Sequence, residues 1–255
     1  MPRISSVLAA AAAASAFAAG AQISDPLITI TASSSLGMGS ASFTSADLGA
    51  ITQPNGGIVF ILFSPLTIVD QNNNNIIATI TQLNVINNAD NTDTASTPDA
   101  LTSIGFGVFA GNADTTFNMT ASLIGTGAVS NAALRATASV NVTDNNGNGA
   151  TLTGLGAGGT YFNAAYNGGT TFADLVVGPL VAPAIGSNDS SQDSPAAPGV
   201  FSPIGVALNN MQAQFNFSLT AGDSAGGTSG FFSIPTPSSA ALFGIAGFTA
   251  IRRRR

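Results

Sequence analysis

Beyond position 22 the chain is built from short runs in which apolar and polar side chains alternate. Residues 27–31 read Leu-Ile-Thr-Ile-Thr, and residues 215–220 read Phe-Asn-Phe-Ser-Leu-Thr. The same alternation runs through residues 76–85, 117–121 and 136–143. A period of two in β-branched residues and Phe predicts strands with one buried and one wet face. Residues 58–63, Ile-Val-Phe-Ile-Leu-Phe, are apolar throughout and predict a buried strand. Between the runs lie turn clusters at 54–57, 72–75, 145–147 and 221–223, rich in Asn and Gly. Those residue types supply the positive-φ positions of tight turns. Outside the C-terminal tail, no sustained helical stripe follows Gln22. Many short strands with such turns predict an all-β domain over residues 22–234, an antiparallel, jelly-roll-like β-sandwich. Residues 214–220 and 230–234 are expected to supply its last strands.

Two stretches break the pattern. Residues 87–100 carry only small and polar side chains, and 183–203 hold four of the twelve prolines around Ser-Asn-Asp-Ser-Ser-Gln-Asp-Ser. Neither can bury much, so both are expected to be long loops. A third stretch, around Tyr161, Phe162 and Tyr166, is rich in Gly. Its aromatic residues could stack on a sugar ring, but alternation favours an ordinary half-buried strand. There Tyr161, Asn163 and Ala165 would face one way, and Phe162, Ala164 and Tyr166 the other.

The two ends differ from the middle. Arg3, the Ala-rich run 7–19 and the small residues Ala19 and Ala21 have the layout of a signal helix and its cleavage site, spanning residues 1–21. Residues 235–255 begin with Pro235, Thr236 and Pro237, continue through an apolar stretch at 240–251 and end with Arg252, Arg253, Arg254 and Arg255. As a helix, the span 238–251 would be about 21 Å long, short of the roughly 30 Å hydrocarbon core. The Arg cluster would hold its end on the cytoplasmic side. This tail resembles the PEP-CTERM sorting signal of Gram-negative bacteria: two prolines, a small-residue transmembrane stretch and a terminal basic cluster. Thr236 stands where that family carries an acidic residue. The resemblance implies export, a short transmembrane helix as a transient anchor, and processing by signal peptidase and an exosortase-like membrane protease. It also implies a final place in the outer envelope or extracellular matrix, often beside exopolysaccharide.

Charge narrows the chemistry. Only 7% of residues are charged, and every acid is Asp. With both ends set aside, Arg135 stands alone against twelve Asp, a net charge of −11. A nucleic-acid partner is excluded on that count. The chain has no Cys, His or Trp, and no Lys. Disulfides, thiol chemistry, His- or Cys-bound zinc, the Ser–His pair and Schiff bases are therefore absent. Two Asp could in principle hydrolyse a glycosidic bond, but no spacing selects a pair, and the chain is expected not to be an enzyme.

One segment invites a cation. Asp144, Asn146, Asn148 and Gly149 fit the opening of a calcium loop, with oxygen ligands on alternate residues. Leu155 stands where an EF-hand needs its bidentate Glu, and a hairpin turn accounts for the same residues. Asp90, Asp93 and Asp99 form a second acidic group. Calcium is thus the one cofactor in view, against the simpler expectation of none. The expected role is a structural or interaction protein of the cell surface or matrix. The alternative is a carbohydrate-binding or adhesive lectin-like module, assisted by calcium.

Overall fold

A computed structural model describes residues 22–23, 26–52, 58–89, 100–121, 124–195, 197 and 199–235. The expected signal helix with Ala19 and Ala21, the acidic group Asp90, Asp93 and Asp99, and the tail from Thr236 and Pro237 to Arg252, Arg253, Arg254 and Arg255 lie outside these residues.

The first strands are β1 (Gln22–Ile23), β2 (Ile28–Ser34), β3 (Gly37–Phe43), β4 (Gly49–Thr52), β5 (Ile58–Ile61) and β6 (Leu66–Val69). Longer ones follow: β7 (Ile76–Ala89), β8 (Ala100–Ala110), β9 (Thr115–Ala121), β10 (Ile124–Val129) and β11 (Ala132–Thr143). The chain then runs through β12 (Ala150–Gly154), β13 (Thr160–Tyr166), β14 (Thr170–Val177) and β15 (Leu180–Ala182). It ends with β16 (Ser187–Ser194), β17 (Ser202–Pro203), β18 (Leu208–Leu219) and β19 (Ser224–Pro235). Among the described residues the helical content is one 3₁₀ turn, Ala157–Gly159, and no helix is long and apolar enough to cross a membrane.

The strands form two antiparallel sheets, as the alternation predicted. The ten-stranded sheet has the path β1-β10-β18-β9-β2-β3, with β13 and β12 also on β18, β14 beside β13 and β15 beside β12. The nine-stranded sheet has the path β16-β11-β19-β8-β7-β5-β4, with β17 on β11 and β6 on β7. Inward positions of β18 (Met211, Ala213, Phe215, Phe217, Leu219) and β11 (Leu134, Ala136, Ala138, Val140, Val142) are all buried. Between the sheets the Phe106 ring meets Phe215 edge-on at 4.9 Å and stacks on Phe217 at 5.4 Å. Phe162 joins Phe215 at 5.0 Å. Such offset and edge contacts suit the ring quadrupoles.

Several expectations change. The stretch 183–203 is not one loop, because Ser187–Ser194 is a strand paired with β11 along its whole length. It carries no apolar residue because it is an edge strand held by backbone pairing. Residues 58–63 do not form a buried strand: β5 ends at Ile61, Phe60 is its buried residue, and Phe63 is 75% exposed. The last two strands are longer than expected: β18 begins at Leu208, and β19 begins at Ser224 and takes Gly226 and Gly227 into the strand. The segment at 145–147 does not close a hairpin: it carries the chain from one sheet to the other, from β11 to β12, as the turn at 221–223 does from β18 to β19.

Candidate functional site

The outer face of the nine-stranded sheet can be read strand by strand. Asp189 of β16 lies opposite Asn141 of β11, which lies opposite Gly226 of β19. Gly226 lies opposite Gly107 of β8, and Gly107 opposite Gln82 of β7. The next outward row is Ser191, Ser139, Thr228, Gly105 and Asn84. Three neighbouring outward positions, Gly105, Gly107 and Gly226, therefore have no side chain. The result is a trough of about 490 Å³ with a glycine floor.

Its walls are polar and almost uncharged. A break in register between Ile80 and Gln82 leaves both Thr81 and Gln82 exposed on one side, the effect a β-bulge has on side-chain direction. Asn141, Thr143 and Asp189 stand on the other side, and the Ser139 and Thr228 hydroxyls meet at 2.9 Å. Phe109, 37% exposed, lies in the adjoining row opposite Ser224, which lines the trough. Beneath the floor sits Phe106, so the trough rests on the aromatic core.

The glycines are not equivalent. A Cβ on Gly107 would sit 2.8 Å from Thr81 Oγ1, and one on Gly226 2.7 Å from Asn141 Oδ1. A Cβ on Gly105 would meet nothing closer than 3.5 Å. Packing therefore leaves room for a Cβ at 105, although Gly weakens a strand interior and often marks a close approach by a ligand or another backbone.

The calcium candidate sits at the end of the sandwich. Asp144 is buried. Its Oδ1 accepts the Asn146 and Gly147 N–H groups at 3.3 and 3.1 Å, and its Oδ2 the Ile185 N–H at 2.6 Å. Asn146 Oδ1 accepts the Asn148 N–H, and its amide nitrogen donates to the Ala221 carbonyl. Burial opposes ionisation of Asp144, but backbone hydrogen bonds from Ile185, Gly149, Asn146 and Gly147 outweigh it, and the carboxyl titrates below the ordinary carboxylate range. These oxygens already face N–H donors, which is how a carboxylate ties a turn together. A cation there would have to displace them. Among the described residues no group of three or more His, Cys, Asp or Glu is placed to hold a metal.

Tyr161 does not present its ring. It is 1% exposed, and its hydroxyl donates to the Leu152 carbonyl at 2.6 Å and accepts the Leu180 N–H at 2.9 Å. Burial raises its pKa above the usual 10.0. Phe162 is in the core, and Tyr166 packs against it. A strand forms there as expected, but it is largely buried rather than half-buried: Thr160, Tyr161, Phe162, Ala164 and Ala165 are all buried. Pro235, the first sorting-signal residue, closes β19 opposite Ala132. Sequence pattern alone does not announce the trough, although Gly105 and Gly107 stand two apart inside a run of alternating character.

No family model and no curated protein matches the chain. Among solved structures, TmCBM61 in complex with β-1,4-galactotriose is similar at 10% identity over 60% of this chain and 82% of that one, with a TM-score of 0.28. The enzymatically active domain of bacteriophage CBA120 tailspike protein 4 is similar at 12% identity over 64% of this chain and 18% of that one, TM-score 0.22. A structure of infectious bursal disease virus, Gx strain, is similar at 12% identity over 88% and 59%, TM-score 0.27. Likenesses with TM-scores this low say nothing about the ligand or role of this chain.

Proposed function

We propose that this chain is a non-catalytic carbohydrate-binding protein of the cell surface or extracellular matrix, which holds an uncharged polysaccharide in the glycine trough. In this reading the tail sorts the protein through an exosortase-type system, and the sandwich is the part displayed. The observation that carries the proposal is Gly105, where a Cβ is left out although packing would accept one. A glycine floor lets a sugar ring lie against the backbone, and Phe109 offers an aromatic surface at the end. Asn, Gln, Ser and Thr suit sugar hydroxyls because they both donate and accept hydrogen bonds. The net charge of −11 over residues 22–234 disfavours acidic polymers.

The test is binding to soluble galactan, glucan, mannan and xylan, with alginate as the acidic control. At least one uncharged polymer should bind and alginate should not. Asn141→Ala and Gln82→Ala should each weaken binding about three- to tenfold, the value of one hydrogen bond worth roughly 0.5–1.5 kcal/mol. Thr29→Ala, on the opposite face, should leave it unchanged. No binding to any of the four polymers, or equal losses from all three substitutions, would overturn the reading.

A further inference from the structure

The opposite face of the sandwich carries a second polar cavity. Asn163 of β13 lies opposite Gln214 of β18 on one side and Asp174 of β14 on the other. The three side chains share the outer face of the ten-stranded sheet, where Asn216 and Thr171 also line a pocket of about 210 Å³. Asn163 Nδ2 donates to Asp174 Oδ1 at 2.8 Å, which fixes the amide and the carboxylate relative to one another. Gly156 and Ala157 form a lip, and the immobilised Tyr161 backs the pocket. The volume is below the roughly 300–1,000 Å³ of sites for drug-sized ligands and suits one sugar ring rather than a chain.

We propose that this pocket is a second carbohydrate site, and that the protein is a back-to-back cross-linker that joins two polysaccharide chains. The inference rests on the trough reading and extends it. Trough and pocket open on the outer faces of different sheets, with the shared core between them. A polymer lying in the trough points away from the pocket, so the two sites take separate chains or distant parts of one. The chemistry of the pair is alike: each is lined by one carboxylate, by carboxamides and by hydroxyls, with no cation among the lining residues. The trough makes the longer contact and binds more tightly; the pocket grips single residues or chain ends. A sandwich of this kind acts as a structural component because it binds twice.

The experiment mixes the full-length mature protein with high-molecular-mass galactan, glucan, mannan and xylan and follows turbidity and light scattering against the protein-to-polymer ratio. Wild type should cross-link the polymer it binds, with scattering that rises and then falls as excess protein saturates both partners. The double substitution Asn163→Ala with Asp174→Ala, both partly exposed positions, should keep trough affinity within twofold and lose the scattering. An unchanged melting temperature checks its fold. Binding by wild type without cross-linking would overturn the inference and leave the trough reading standing, as would full cross-linking by the double variant. Absence of binding by wild type would overturn both.

Discussion

On the ten-stranded sheet, one outward row reads Asp174, Asn163, Gln214, Thr120, Thr29 and Ser42, with a side chain at every position. The corresponding kind of row on the nine-stranded sheet reads Asp189, Asn141, Gly226, Gly107 and Gln82, with two consecutive gaps. Both rows obey the same alternation, and both are nearly uncharged. Polarity decides which face is wet. The presence or absence of a Cβ decides whether that face is a ladder or a trough. The difference teaches that a binding surface can be made by omission, with the floor supplied by backbone and the specificity by the neighbours of the missing side chains.

The strongest way to break the trough is from below. Gly227 faces inward beside the Phe106 ring, and a Cβ there would sit 2.6 Å from Phe106 Cε1 and 3.0 Å from the Ser139 carbonyl oxygen. Gly227→Val should cost about 1–3 kcal/mol, the usual range for overpacking a core, and lower the melting temperature by about 2–4 °C per kcal/mol for a domain of this size. Calorimetric melting checks this. A melting temperature equal to wild type would mean that the floor is not held by Phe106.

A smaller effect touches neither face and isolates the loop at the end of the sandwich. The folded-state pKa of Asp144 lies below its ordinary 3.8, so its contribution to stability is present above that pH and lost as the pH falls through the folded value. Asp70 behaves alike: the Asn73 N–H lowers its pKa most, burial opposes, and the Met38 and Asn72 N–H groups add to the lowering. Asp144→Asn should be less stable than wild type at neutral pH, with the gap closing in acid. Denaturant unfolding from pH 7 to pH 2 measures it, and a gap that widens in acid would contradict the assignment. If Asp144 only ties the turn, millimolar calcium and chelator should give the same melting temperature, because a ligand of the native state must raise it.

Much of the fold was legible in the chain. Phe215, Phe217 and Leu219 announced an inward face, and the β18 core is that face. Tyr161 and Phe162 read as a strand and form one. Other features are written in partners that lie far apart in sequence. Asn and Gly at 145–147 look the same whether the chain turns back beside itself or crosses to the other sheet. Ser187–Ser194 has no apolar residue to announce a strand and takes its order from β11. Nothing in the sequence pattern singles out Gly105 and Gly107, and the trough exists only because Gly226 lies opposite Gly107, more than a hundred residues away.

The most direct test of the account fills the trough without disturbing what holds it. Gly105→Val places a side chain at a position where a Cβ lies 3.5 Å from the nearest Asn84 atoms and 3.7 Å from Thr228 Cγ2. Isothermal titration with the polysaccharide that wild type binds should show affinity reduced at least about tenfold, or roughly 1.4 kcal/mol, while the melting temperature stays the same. Undiminished affinity in a Gly105→Val protein that melts like wild type would contradict the claim that the glycine trough is where the sugar lies.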